Sequence, residues 1–153
     1  MADKIDVRAV EGVLYGIHAA LHRIAGDSAP AVMRAAAPEI LSEMSKLGVD
    51  FSKIQDASEL ESALRDTMVS AGLCDDLTLY IDGDELRTNI TNCAFADLGD
   101  HLTAEQIDPV ACPFASLTIA LAEKSMGKKA RLKLLQPVPG GKHGDTEIVI
   151  QLS

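Results

Sequence analysis

Asp76-Leu77-Thr78-Leu79-Tyr80-Ile81-Asp82-Gly83-Asp84-Glu85-Leu86-Arg87-Thr88-Asn89-Ile90-Thr91 is the stretch where the hydrophobic period of this chain changes. Leu77, Leu79 and Ile81 alternate with Thr78 and Tyr80, Gly83-Asp84 supplies a turn, and Leu86 to Thr91 runs back. Alternation of period two around a glycine turn predicts a β-hairpin. The hairpin separates a helical first half from a mixed second half.

On its N-terminal side, Val7, Val10, Leu14, Ile17, Leu21 and Ile24 recur at steps of three and four, the seam of an amphipathic helix from Asp6 to Ala25. Gly12, Gly16 and Ala20 are four apart on an adjoining face, where small residues let another backbone come close. The expected partner of this face is a second copy, giving a homodimer through the first helix, or the chain's own sheet. His18 and His22 read as the helix's polar flank. Ser28 and Pro30 open a second helix that Pro38 should kink or divide, with Ile40, Leu41, Met44 and Leu47 inward and Gly48 as its end. Ser58 and Glu61 form a capping box for a third helix, with Leu60, Leu64 and Met68 inward.

On the C-terminal side, Thr103 and Gln106 cap a short helical turn, and Pro113 opens a helix that closes at Gly127. A second hairpin follows, with Ala130, Leu132 and Leu134 on one strand and Ile148, Ile150 and Leu152 on the other, around Gly140-Gly141-Lys142-His143-Gly144-Asp145. The expected fold is α+β: an N-terminal helical layer packed on a mostly antiparallel sheet built from two hairpins with an intervening helix.

The chain has 153 residues, 47% of them apolar, which predicts a single domain over 1–153. A formal charge of -9 without any basic cluster argues against nucleic acid and anionic membrane surfaces as partners. The start of the chain lacks a signal-peptide pattern and there is no apolar run of ~20 residues, so a cytoplasmic location is expected. Three cysteines in such a chain read as reduced thiols or metal ligands. Cys74 reads as packing.

The helical first half, the strand pair running into Thr91-Asn92-Cys93-Ala94-Phe95, the Cys112-Pro113-Phe114 helix reaching Met126-Gly127-Lys128, and the final glycine-containing hairpin resemble the 4-vinyl reductase domain family. That family is similar in fold to subunits of vesicle-tethering complexes. The resemblance implies a binding domain for hydrocarbon or tetrapyrrole-like molecules, with cysteines near the last helix and hairpin suited to a metal. The final hairpin here carries no cysteine and offers only His143.

Zinc accepts two thiolates and an imidazole, so Cys93, Cys112 and His143 are the candidate metal ligands, with His101, Asp97, Asp100, Asp108 or water as a fourth. Cys112 also precedes a helix N-terminus, where the dipole favours a thiolate. A cysteine enzyme would further need His101 or His143 as its base. With no Trp and 3% aromatics, the core should be reshapable enough to hold an apolar cavity, for which Met33, Met44, Phe51, Met68, Phe95 and Phe114 are the candidate lining residues. The expected function is a non-catalytic binding or sensory domain for an apolar small molecule. The alternatives are a structural adaptor of the tethering-complex kind and an enzyme using Cys112. No dinucleotide fingerprint supports reductase chemistry.

Overall fold

The computed structural model describes residues 6–46, 51–109 and 112–153, apart from the Met33 side chain. In chain order the elements are α1 (Val7–Ala25), a 3-10 turn (Gly26–Ser28), α2 (Ala29–Lys46), α3 (Ala57–Ser70), β1 (Asp76–Asp82), β2 (Glu85–Thr91), α4 (Ala96–Ala104), α5 (Pro113–Met126), β3 (Ala130–Pro137) and β4 (Thr146–Leu152).

The strands form one sheet in the order β1-β2-β4-β3, antiparallel throughout. The two expected hairpins are thus joined side by side through β2 and β4, and the fold is α+β. Period-two alternation places Leu77, Leu79, Leu86, Ile90, Ile148 and Ile150 on one face, all buried. Leu60, Leu64 and Met68 of α3 and Phe114, Leu117 and Leu121 of α5 complete this core. Each such side chain contributes about 1.5–3 kcal/mol through burial. The opposite face is largely polar, with Val149 and Leu134 as apolar members. Arg87 there pairs with Glu85 at 2.6 Å and Glu147 at 3.1 Å, and Lys133 also reaches Glu85. The Lys133 ammonium, with Arg87, holds the Glu85 carboxyl below its ordinary pKa. A charged face of this kind needs no covering layer.

Three local expectations are corrected. Asp56, rather than Ser58, caps α3, accepting from the Glu59 N–H at 2.8 Å while Glu59 accepts from the Gln55 N–H at 2.7 Å. This is a variant of the expected box, two residues earlier, with the return bond made to the residue before the cap. Pro38 does not divide α2, which runs through it with the proline on an exposed face. A whole helix, α4, occupies Ala96–Ala104 where only a turn after Thr103 was expected. Thr103 lies inside it, its hydroxyl donating to the Gly99 carbonyl at 2.9 Å. Leu47 and Gly48 fall outside the described residues.

The largest departure concerns α1. Val10, Leu14 and Tyr15 pack against the core, but Ile17 is 43% and Ile24 87% exposed, and Val13 is 64% exposed. The buried residue of this helix is His18, at 1% exposure, in place of the polar-flank role expected for it. The rotation follows from packing against α4. Tyr15 stacks on His101 with ring centroids 4.3 Å apart, and Glu11 accepts the Leu98 N–H at 3.2 Å. No helix among the described residues is long and apolar enough to cross a membrane.

Candidate functional site

One end of the sheet is closed by the link from β2 to α4 docking on the turn between β3 and β4. Asn92 adopts a positive φ of 53°, and its side-chain amide donates to Asp75 at 3.1 Å. The chain so turned lets the Cys93 N–H donate to the Gly144 carbonyl at 2.7 Å. Asp145 braces the turn, accepting from the Lys142 N–H at 3.0 Å and the Asn92 N–H at 3.3 Å. Outside this brace, His143 Nε2 lies 2.9 Å from Asp97 Oδ1, and its Nδ1 lies 3.9 Å from Asp100. The imidazole is exposed and ties the glycine-rich turn to α4.

Beneath lies a cavity of about 70 Å³. Ile90, Phe95, Leu98, Leu102, Leu135 and Ile148 form its apolar wall, and His18, Cys93, Cys112, His143 and Thr146 also line it. The structure therefore brings the three candidate metal ligands to one cavity. Among the described residues, however, no group of three or more His, Cys, Asp or Glu is arranged to hold a metal ion. The donor set as it stands does not fit zinc, since His143 points its imidazole at Asp97 on the surface while Cys93 is buried.

The thiols share a simple electrostatic condition. Burial raises the pKa of Cys93, and pushes that of Cys112 up to about 12 and that of Cys74 to about 11. At Cys112 desolvation outweighs the helix N-terminus, so the group is a neutral thiol and a poor nucleophile. Alkylation with iodoacetamide at neutral pH should accordingly be slow at all three cysteines in folded protein and rapid once urea is added. Fast modification of Cys112 in the folded state would contradict the assignment.

His18 is the polar residue that sequence reasoning misplaced. Its Nδ1 lies 2.7 Å from the Leu14 carbonyl, which can only accept, so Nδ1 carries the proton and donates. Burial lowers the His18 pKa, with the Leu14 hydrogen bond opposing. The unfolded chain therefore takes up this proton first as pH falls. Its contribution to stability is fully present above about pH 6.5, the ordinary value, and is lost as pH drops through the lowered folded value. Urea unfolding between neutral and mildly acid pH should show this slope, and His18→Asn should flatten it. An equal slope in the variant would assign the effect elsewhere. A signal was available, for His18 follows Leu14 by four and precedes Leu21 by three, at the border of the apolar seam.

Of the candidate lining residues, Phe95 forms part of the wall. Phe114 stands behind it, edge to face at 6.4 Å and 69°. Phe51 and Met68 are buried in the core, and Met44 packs against it partly buried, so these four give the cavity no surface. The Met33 side chain lies outside the description. The principal wall residues Leu98, Leu102, Leu135 and Ile148 carried no distinguishing mark in sequence.

A family model described as "Putative rubredoxin C-terminal domain" matches residues 10–151. This family differs in description from the 4-vinyl reductase family expected from the sequence. No curated protein matches the chain. Among solved structures, the chain is similar to the phenol-responsive sensory domain of the transcription activator PoxR with phenol, at 14% identity and a TM-score of 0.56, over 97% of this chain and 75% of that one. It also aligns with a trafficking protein particle complex subunit 3 from Naegleria fowleri covalently bound to palmitic acid, at 12% identity and a TM-score of 0.43, over 99% of this chain and 84% of that one. The likeness to the sensory domain is one of fold.

Proposed function

The chain belongs to the family of the "Putative rubredoxin C-terminal domain", and on that premise we propose that it is a non-catalytic binding domain whose ligand is a small apolar molecule held between α4, β4 and the β3–β4 turn. The observation that carries this reading is the cavity itself, apolar on most of its wall, with Cys93, Cys112 and His18 lining it and Asp100, Asp145, Gln136 and His143 among its other polar members. Its volume of about 70 Å³ is below the ~300 Å³ and more of pockets for drug-sized ligands. Short hydrocarbons and single small rings suit it, and a tetrapyrrole does not. The fold shared with a phenol-responsive sensory domain is consistent with the proposal.

The test uses benzene and xenon as probes, read by methyl chemical shifts of Leu98, Leu102, Leu135 and Ile148. A probe at a hundredfold excess over its Kd should also raise stability by roughly 2.7 kcal/mol. Gly99 supplies the matched control, because a Cβ there would meet Leu135 Cδ2 at an ordinary 3.9 Å. Gly99→Ala should stabilise α4 by about 0.5–1 kcal/mol, whereas Gly99→Leu should fill the space and abolish the response. Probe shifts that persist in Gly99→Leu would place binding outside this cavity.

Zinc on Cys93, Cys112 and His143 is a separate proposal that requires the β3–β4 turn to rearrange. Stoichiometric zinc in protein purified without chelator, lost in Cys93→Ser/Cys112→Ser, would support it; equal content in both proteins would end it. Homodimerisation through α1 is proposed on the exposed Val13, Ile17 and Ile24, with Gly12 and Gly16 having no neighbour within 4 Å of a built Cβ. Sedimentation should find a dimer that Ile17→Glu converts to monomer, and a monomeric parent protein would refute it.

A further inference from the structure

We propose that the groove between α2, α5 and β3 is a second ligand site, for a neutral, largely apolar molecule bearing one hydroxyl that meets Ser116. The groove has a volume of about 490 Å³, within the ~300–1,000 Å³ of small-molecule sites. Its floor is apolar, from Ala37 of α2, Ile119 of α5, and Leu132 and Leu135 of β3. It is distinct from the cavity beneath the β3–β4 turn, with which it shares Pro109 and Leu135 as boundary residues.

Two observations select this chemistry. The first is Ser116, which lines the groove at 7% exposure and whose hydroxyl has no hydrogen-bond partner. Other hydroxyls on α5 are satisfied by their own helix, Thr118 donating to the Phe114 carbonyl and Ser125 to the Leu121 carbonyl, each at 2.7 Å. Ser116 shares the groove-lining face of α5 with Ile119, three residues on, and a change of χ1 rotamer presents its hydroxyl there. One buried hydroxyl on an apolar floor matches one polar group on an apolar ligand. The second observation is the balance of charge at the rim. Lys133 is held by Glu85, and Arg34 lies 3.8 Å from Glu123. That leaves Arg131 and Asp108, one of each sign, lining the groove. An entering ion would give up its hydration with no net opposite charge to receive it, whereas a neutral molecule gives up little. The bulge between Leu132 and Leu134 interrupts the regularity of β3, so a small molecule rather than an added strand fits beside it.

The probe is 2-naphthol, compared with naphthalene, 2-naphthoate and 2-naphthylmethylammonium on the full chain at neutral pH. Methyl chemical shifts of Ile119 and Leu132 report the groove, and those of Leu98 and Ile148 report the smaller cavity. 2-Naphthol should shift the groove methyls, and its two ionic analogues at the same concentration should not. Ser116→Ala, a change that favours helix, should weaken 2-naphthol binding about fivefold and leave naphthalene binding unchanged. Absence of shifts at Ile119 and Leu132, an equal response to either ion, or undiminished 2-naphthol binding in Ser116→Ala would each overturn the proposal. Shifts confined to Leu98 and Ile148 would do the same while supporting the cavity as the binding site.

Discussion

Phe114→Ala is expected to destabilise the protein by about 3–5 kcal/mol, a large part of the ~5–15 kcal/mol available to a domain. Phe114 is fully buried at the first turn of α5, where Cys112 and Pro113 set the start of the helix. Its ring meets Phe95 edge to face, an arrangement contributing ~0.5–1.5 kcal/mol beyond area burial. Truncation removes those contacts and leaves a void behind the cavity wall. Urea unfolding should show a lowered midpoint at an unchanged slope, since the denatured state is unaltered. The variant should also accept larger rings, because Phe95 can retreat into the vacated space. A loss below about 1 kcal/mol would mean that the surrounding residues collapse onto the site.

Gly144→Ala is the second large effect, with an expected cost of about 1–3 kcal/mol. Gly144 has a φ of +96°, and a Cβ built there would lie 3.1 Å from the Asn92 Cα and 3.2 Å from its Oδ1. The near atom is backbone and cannot swing aside. Relief would require the turn to withdraw from the β2–α4 link, stretching the 2.7 Å bond from the Cys93 N–H. The loss should therefore appear twice, as a lowered Tm and as faster exchange of the Cys93 amide. Gly140 provides the contrast, since it shares a positive φ but has nothing within 4 Å. Gly140→Ala should carry only the turn strain, leaving the Cys93 amide protected. Equal effects at both glycines would show that close approach at Gly144 has no special weight.

Residues of scarce chemistry mark the cavity in the sequence, and residues of common chemistry do not. Two cysteines and one histidine stand out in any such chain, and Cys93, Cys112 and His143 do line one cavity. Phe95 stands out because aromatics are rare here, but Phe114, equally conspicuous, lies behind it and gives the cavity no surface. Leu98, Leu102, Leu135 and Ile148 do not stand out, because an apolar residue beside a cavity and one filling a core obey the same burial rule. Met68 and Phe51 illustrate the converse, being apolar residues that fill the core.

The sequence by itself determined the elements whose signals are local. Period-two alternation around Gly83 and Gly140 set both hairpins, and Pro113 and Gly127 bounded α5, because these depend on dihedral preferences of neighbouring residues. Tertiary structure decided which faces those elements present. The seam of α1 predicted burial for Ile17 and Ile24, yet contact with α4 turned His18 inward and left both isoleucines exposed. The pairing of β2 with β4 and the covering of the β1 edge by Glu61 and Arg65 of α3 likewise arise between segments far apart in the chain. The reason is that periodicity records how a segment separates apolar from polar side chains, whereas the partner that meets each face is selected by the free energy of the assembled core.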